Sequence, residues 1–152
     1  MAARLSPMGL RVPIHRLRGV AIGERVRIAT DVILETAYPE WISIGNDVQL
    51  GVRTIVLADI HALRPQFSSA EEQQNYISVR IEDDVNIGPG CIVLPHVTIG
   101  RGSVVTAGSV VTRAVPPMTM VRGNPAEPVA RLGIPLSGDT KMKEFMRALK
   151  PV

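Results

Sequence analysis

The fold of this chain is decided by residues 81–116, which read IEDDVNIGPGCIVLPHVTIGRGSVVTAGSVVTRAVP. An aliphatic residue returns there at every sixth position without interruption. These residues are Ile81, Ile87, Val93, Ile99, Val105 and Val111. A period of six fits neither an α-helix, which repeats about every 3.6 residues, nor an isolated strand, in which inward and outward residues alternate. It is typical of short strands joined by sharp turns and wound into a parallel β-helix.

The same period occurs earlier in the chain with two interruptions. Its aliphatic positions there are Ile22, Ile28, Leu34, Ile44, Leu50 and Val56. Leu34 and Ile44 are ten residues apart rather than six, which predicts a four-residue insertion around residues 37–40. The repeat stops after Val56 and resumes at Ile81, which predicts about 19 inserted residues.

Three six-residue units make one triangular coil of 18 residues, so each aliphatic residue should lie beneath the one 18 positions later. The predicted stacked pairs are Ile81 with Ile99, Ile87 with Val105, and Val93 with Val111. A narrow interior agrees with a content of only 3% aromatic residues. Glycines and Asn-Asp pairs suit corners where backbone φ is positive. They are Gly102, Gly108, Asn46-Asp47 and Asp83-Asp84.

Composition narrows the class of protein. The 152 residues suit one domain, and 45% of them are hydrophobic without an apolar run long enough for a membrane span. The lone cysteine, Cys91, excludes an internal disulfide and a cysteine-cluster metal site, and it suggests a reducing, cytoplasmic location. The net charge of +3 favours anionic ligands only mildly, and no aromatic-and-basic stripe suggests nucleic acid.

The chain is expected to form a single domain, 1–152, of six segments. They are an arm at 1–19 packed on the first coil, coils at 20–57 and 81–116, an extruded loop at 58–80, an exit segment at 117–138 and a helix at 139–150. Pro116-Pro117 should end the coils because proline cannot donate to the next ladder. Met142, Phe145, Met146 and Leu149 predict the apolar stripe of the C-terminal helix.

The loop at 58–80 is expected to be ordered. It carries Leu63, Phe67, Tyr76 and Ile77, whereas a disordered spacer would be more uniformly polar. Residues 68–72, SSAEE, are the capping signature of a short helix.

Three stretches resemble the hexapeptide-repeat acetyltransferases. They are IGPGCIVLPHVTIG at 87–100, TAGSVVTRAVPP at 106–117 and RGNPA at 122–126. The chain is most similar to the maltose, galactoside and polysaccharide O-acetyltransferases. The resemblance covers about 100 of the 152 residues and is specific over 81–126.

This resemblance implies an all-β, left-handed parallel β-helix that assembles as a homotrimer. It also implies acetyl-CoA as the acyl donor, bound in the groove between neighbouring prisms, with no metal required. The coenzyme-binding residues that it implies are Pro89, Ala107, Gly108, Thr112, Arg113 and Arg122. Small side chains at 107 and 108 would let the pantetheine arm lie close to the backbone.

One residue departs from the family's pattern. After Asn-Pro-Ala at 124–126 the family commonly places Lys or Arg, but here Glu127 follows. A carboxylate at this point would repel the 3′-phosphate of the coenzyme. Arg131, Lys141 and Lys143 are candidates to substitute for the missing cation.

Acetyl transfer to a hydroxyl needs a base, and histidine suits this role because its pKa lies near neutrality. His15 lies in the arm and His96 in a turn, and both are expected at the surface. His61 opens the extruded loop in Ala-Asp-Ile-His at 58–61, which resembles the segment that carries the family's base. His61 is therefore the predicted catalytic base.

The group that would orient His61 stays open. Asp59 is the nearest carboxylate in sequence, with Glu82 and Asp83 as alternatives, and a backbone carbonyl would serve equally well. No Ser-His-Asp or Cys nucleophile is apparent, so direct transfer is preferred to an acyl-enzyme.

The sequence thus predicts an O-acetyltransferase acting on the hydroxyl of a sugar, as a polysaccharide or its precursor. An N-acetyltransferase acting on an amino sugar and a non-enzymatic β-helix scaffold remain alternatives. A zinc enzyme on the same prism, the γ-type carbonic anhydrase, is disfavoured because its ligands require closely spaced histidines. The acceptor itself cannot be identified from one chain.

Overall fold

The short strands of the repeat stack into the three faces of a triangular prism. The structure is a computed structural model that describes residues 8–136 and 138–152, so the first seven residues of the expected arm and residue 137 lie outside it. The first face contains β1 (Ala21–Ile22), β4 (Ile42–Ile44), β7 (Val79–Ile81) and β10 (Thr98–Ile99). The third contains β3 (Ile33–Leu34), β6 (Ile55–Val56), β9 (Ile92–Val93) and β12 (Val110–Val111).

The second face is longer because the C-terminal part of the chain extends it. Its parallel strands are β2 (Arg27–Ile28), β5 (Gln49–Leu50), β8 (Asn86–Ile87), β11 (Val104–Val105) and β13 (Thr119–Gly123). The antiparallel strands β14 (Ala126–Leu132) and β15 (Leu149–Pro151) follow at its edge. The first, second and third corners are the turns that follow the strands of the first, second and third faces along the chain.

The aliphatic repeat fills the prism as predicted. Eleven of its twelve residues are buried, and Ile22 is partly buried against the same core. Each of the three predicted pairs is a partner pair of neighbouring parallel strands. The 18-residue spacing is therefore confirmed.

The strand register also measures the two insertions. Ile22 pairs with Ile44, a step of 22 residues that exceeds the regular coil by four. Ile44 pairs with Ile81, a step of 37 residues that exceeds it by 19. Both predicted insertion lengths are confirmed.

One residue in most repeat units adopts a left-handed backbone, three positions after the inward aliphatic residue. The predicted corner residues Gly102, Gly108, Asp47 and Asp84 are among them, with φ of 69°, 72°, 57° and 60°. His96 occupies the same position with φ of 63°. Aspartate and histidine tolerate this conformation better than most residues with a Cβ, which explains why the corners need not all be glycine.

The expectation that the coils end at residue 116 is wrong. Val115 pairs with Ile99, and β13 pairs in parallel with β11, so the coil continues past the prolines. Pro116 and Pro117 lie in a corner, where no ladder N–H is required. The carbonyl of Pro116 even accepts a hydrogen bond from the Ser103 hydroxyl at 2.7 Å.

Among the described residues, two α-helices flank the extruded loop in sequence, and a third lies within it. They are α1 (Met8–Leu17), α2 (Ala70–Asn75) and α3 (Met142–Ala148). The C-terminal helix α3 is shorter than the predicted 139–150, and Lys141 occupies its N-cap position. Phe145 is buried with Val104 and Leu132 outside the second face, but Met142 and Met146 are largely exposed.

Helix α1 covers the open end of the prism with its basic side chains. The first strand of each face has no coil beneath it, so its carbonyl groups need donors. Arg16 bonds the carbonyl of Gly23 at 2.6 Å, Arg11 bonds that of Ile28 at 3.2 Å, and Arg18 bonds that of Glu35 at 2.7 Å. Each face thus receives one arginine.

His15 is buried in this cap, and the expectation that it lies at the surface is wrong. It shares a helical face with Arg11 and Arg18, four and three residues away, and is only 2% exposed. Its Nδ1 lies 3.1 Å from Nη1 of Arg18. Burial first, and then the charge of Arg18, lowers the pKa of His15 from 6.5 to about 4.

This lowered pKa predicts a loss of stability in mild acid. Between pH 6.5 and about 4 the unfolded chain holds a proton on His15 that the folded chain does not, so the free energy of unfolding falls as the pH falls. Urea denaturation of His15→Gln should show a flatter pH dependence over this window than wild type. The exposed His61→Gln serves as the control and should keep the wild-type slope. An unchanged slope in His15→Gln would contradict the assignment.

Candidate active site

The extruded loop leaves the prism at the third corner and is anchored there by aromatic rings. Trp41 is buried, and the ring centroids of Tyr38, Phe67 and Tyr76 lie 4.3, 5.6 and 5.1 Å from its own. The predicted capping of α2 is also present, since Ser69 accepts a hydrogen bond from the N–H of Glu72. The loop is thus an ordered projection whose aromatic rings pack against the main core at Trp41.

The carboxylate of Glu35 fixes the base of the loop. It accepts hydrogen bonds from the backbone N–H groups of Thr36 and Ala37 at 2.6 and 2.9 Å, and from those of Ala58 and Asp59 at 3.3 Å. Because Glu35 is 23 residues from Ala58 in sequence, no local pattern pointed to this role. It ties the four-residue insertion to the beginning of the longer one.

The predicted base, His61, is exposed and begins a turn of 3₁₀-helix, His61–Leu63. The carboxylate of Asp59 is mostly covered and binds Nη2 of Arg64 at 2.5 Å. This hydrogen bond is the main reason why the pKa of Asp59 is lowered, and the charges of Arg64, His61 and His96 act in the same direction. Asp59 is therefore a stable anion beside two imidazoles.

Arg64 holds this arrangement together, although sequence reasoning gave it no role. Its guanidinium lies over the Tyr38 ring, 4.7 Å from the centroid, while it pairs with Asp59. Trp41 covers the other face of Tyr38. Neither face of Tyr38 is therefore free to stack against a sugar ring.

His96 lies one coil above Asp59. Val56 pairs with Val93, and Asp59 and His96 come three positions after Val56 and Val93, respectively. Its Nδ1 lies 2.6 Å from the hydroxyl of Tyr76, and the Ser78 hydroxyl accepts a hydrogen bond from its backbone N–H at 3.1 Å. The third corner therefore brings together His61, His96 and Asp59. The expectation that His96 is an exposed turn residue is confirmed.

The alternative carboxylates are used elsewhere. Glu82 and Asp83 lie at the first corner, after β7. Glu82 accepts a hydrogen bond from the N–H of Arg101 at 2.8 Å, and Asp83 accepts one from that of Asn46 at 2.7 Å. Asp59 thus remains the orienting candidate, because it lies two residues before His61 and the charge of His61 contributes to lowering its pKa.

The expected coenzyme-binding residues fall into groups, of which Pro89, Ala107 and Gly108 share the second corner. The carbonyl of Pro89 accepts a hydrogen bond from the N–H of Gly108 at 2.8 Å, so the two coils lie in register. Ala107 is exposed, and a Cβ built on Gly108 would meet no atom within 4 Å. A groove of about 380 Å³ on the second face reaches this corner at Gly88 and Pro89.

Thr112 and Arg113 lie instead at the third corner, after β12, where His61 and His96 also lie. The third face separates them from Ala107. Its outward side carries an aliphatic ladder whose members are partly exposed. The ladder consists of Ile33, Ile55, Ile92 and Val110.

Arg122 lies on β13 and is exposed, as is Glu127, its partner in the register of β14. The Glu127 carboxylate forms an ion pair with Arg113. The residue that departs from the family's pattern thus contacts one of the two arginines expected to meet phosphate. Arg131 lies at the other end of the hairpin, opposite Thr119.

None of the helices in the described part of the chain is long and apolar enough to cross a bilayer.

Comparison with known proteins gives these features a family. The model of the family described as bacterial transferase hexapeptide (six repeats) matches residues 78–113. A Bacillus subtilis protein that carries the name of an acetyltransferase, YvoF, is 33% identical over 126 residues, which cover 81% of this chain and 68% of that protein. This chain therefore belongs to the hexapeptide-repeat acetyltransferases.

Other relatives match a shorter part of their own length. A Schizosaccharomyces pombe protein, also named as an acetyltransferase, is 42% identical over 92 residues, which cover 60% of this chain but 44% of that protein. The galactoside O-acetyltransferase of Lactococcus lactis is 38% identical over 84 residues, covering 55% and 40%. A 2,3,4,5-tetrahydropyridine-2,6-dicarboxylate N-acetyltransferase of Staphylococcus aureus is 43% identical over 72 residues, covering 47% and 29%.

One of the similar solved structures contains a bound coenzyme. The hexapeptide-repeat acetyltransferase of Vibrio cholerae, in complex with acetyl coenzyme A, superposes with a TM-score of 0.65. It is 27% identical, and the match covers 85% of this chain and 80% of that one. Such neighbours are consistent with the left-handed sense that the sequence resemblance implies.

Proposed function

We propose that this chain is an acetyl-CoA-dependent O-acetyltransferase that acetylates the hydroxyl of a sugar, in a polysaccharide or its precursor. The acetyl group passes directly from the coenzyme to the acceptor, with His61 as general base. The active enzyme is a cytoplasmic homotrimer, and its reaction requires no metal. The observation that carries the proposal is the third corner, where the exposed His61 follows Asp59 by two residues and its charge contributes to lowering the pKa of that carboxylate.

The chemistry follows from this placement. The acceptor hydroxyl gives its proton to His61 as its oxygen attacks the thioester carbonyl. The tetrahedral oxyanion is held by a backbone N–H donor, which contributes on the order of 100-fold or more to the rate. The intermediate expels the coenzyme thiolate, which recovers the proton. Asp59, anchored by Arg64, stabilises the imidazolium that forms in between.

Assembly would complete the site. Within one chain the third face separates the His61 corner from the Ala107 corner. If three prisms turn their third faces toward a common axis, the third corner of each meets the second corner of the next. The aliphatic ladder at Ile33, Ile55, Ile92 and Val110 supports this arrangement, because the other two faces present more polar residues outward.

On this arrangement the coenzyme lies between two subunits. Pro89, Ala107 and Gly108 border its pantetheine arm at the second corner. Thr112, Arg113 and Arg122 meet its nucleotide end.

The competing function is N-acetylation of an amino sugar, which the same base would serve. The Staphylococcus aureus relative, named as an N-acetyltransferase, favours it. A panel of sugars and amino sugars offered with acetyl-CoA, with release of free thiol as the readout, distinguishes the two. Turnover with hydroxyl acceptors alone supports the proposal, turnover with amines alone supports the alternative, and no turnover with either supports a scaffold.

Replacing the base tests its role. His61→Ala should lower kcat by about 100- to 10,000-fold, the range for loss of a general base, with little change in the Kd of acetyl-CoA. The matched variant His96→Ala should keep most of the activity. If His96→Ala is the inactive one, the base is His96, and the Tyr76 hydroxyl at 2.6 Å becomes its orienting group.

Filling the second corner tests the coenzyme groove. Ala107→Trp should weaken acetyl-CoA binding in calorimetry with little change in Tm, because Ala107 is exposed and the interior is filled by Val105 and Val111 instead. Normal binding by a well-folded Ala107→Trp protein would mean that the coenzyme lies elsewhere.

The third face tests the assembly. Light scattering at micromolar concentration should give three times the chain mass of 16.4 kDa. Ile55→Glu should produce monomers and abolish activity, because it places a charge in the middle of the apolar ladder. Ser43→Glu, at an outward position of the first face, should leave the trimer intact. A monomeric but active wild-type enzyme would contradict the shared site.

A further inference from the structure

Glu127 stands between two arginines on the surface that the proposed function assigns to the nucleotide end of the coenzyme. Its carboxylate pairs with the guanidinium of Arg113, and it faces Arg122 across the two strands of the hairpin. Arg113 and Glu127 are both exposed, with 66% and 50% of their side chains accessible. Glu127 is the only acid on this hairpin, which otherwise carries Arg122 and Arg131.

We propose that Glu127 masks Arg113 and thereby determines how tightly the enzyme holds the phosphates of its acyl donor. This inference rests on the proposed function, in which Arg113 and Arg122 meet those phosphates. A guanidinium binds a carboxylate or a phosphate with the same two-pronged geometry. In this pair Nη2 of Arg113 contacts both carboxylate oxygens, so the donor competes with Glu127 for this arginine and reaches its full two-pronged contact only when Glu127 is displaced.

The Arg113–Glu127 pair is not needed to hold the fold. An exposed ion pair contributes little to folding, and it shifts an equilibrium by about fivefold at most. Arg113 lies in a corner and Glu127 in a neighbouring strand, and both elements are held by backbone pairing that does not involve the two side chains. Removing the carboxylate should therefore free the arginine without disturbing the fold.

The consequence is that Glu127 lowers the affinity of the enzyme for its acyl donor. Freed of Glu127, Arg113 should bind phosphate directly, and the repulsion between the carboxylate and the phosphates should also disappear. Together these effects should tighten coenzyme binding about 3- to 10-fold. The gain should shrink as salt is added, because every group involved is exposed to solvent.

Calorimetry with coenzyme A tests the proposal without knowledge of the acceptor. Glu127→Gln should lower the Kd about 3- to 10-fold relative to wild type, and Glu127→Lys should lower it further. Glu24→Gln is the matched control. It removes a carboxylate from another exposed ion pair, with Arg16, at the opposite end of the prism, and it should leave the Kd unchanged.

A double-mutant cycle separates masking from simple repulsion. With Arg113→Met in the background, Glu127→Gln should tighten binding clearly less than it does in the wild type, because only the repulsion between the carboxylate and the phosphates is left to remove. An equal gain in both backgrounds would mean that Glu127 acts by repulsion alone, and no gain in either would remove it from donor binding; both overturn the proposal. If neither wild type nor Glu127→Gln binds coenzyme A, it is the proposed function that fails.

Discussion

Each coil of this protein has to place an aliphatic side chain directly over the one in the coil below. Parallel pairing enforces this, since Ile81 and Ile99 are partners in the ladder as well as in the core. A slip of one residue would turn every inward side chain outward. The same demand fixes the corners, because the chain must turn three residues after each aliphatic position. His96 and Asp84 are left-handed for this reason.

A stack of parallel coils leaves open strands at its ends, and the chain covers the first end and part of the second. At the beginning, helix α1 supplies three arginines to the free carbonyl groups of the first coil. At the other end, β13 turns back as an antiparallel hairpin, and β14 and β15 extend the second face outward. Helix α3 then covers part of that face through Phe145. Without such caps, the ends would be templates for aggregation.

The sequence predicted the prism and both insertion lengths because the six-residue period of aliphatic residues directly sets which residues pair between neighbouring coils. It failed where a contact is not determined by the repeat. Burial of His15 depends on which side of α1 meets the first coil, and the repeat does not determine that. The coils continue past Pro116 because this proline lies in a corner, where no backbone N–H is needed for strand pairing. The roles of Glu35 and Arg64 were not predicted. Both residues contact Asp59, and these contacts depend on the conformation of the insertions, which the repeat does not determine.

Both insertions occur at the third corner, and the ladders on either side of them resume in register. The entropic cost of closing a loop rises only slowly with its length, so a longer or shorter segment at this point burdens the prism little. The coil stack therefore acts as a rigid scaffold with one corner that accepts insertions. Segments of different length and sequence can therefore be accommodated there, while the corner that carries Ala107 and Gly108 keeps its shape.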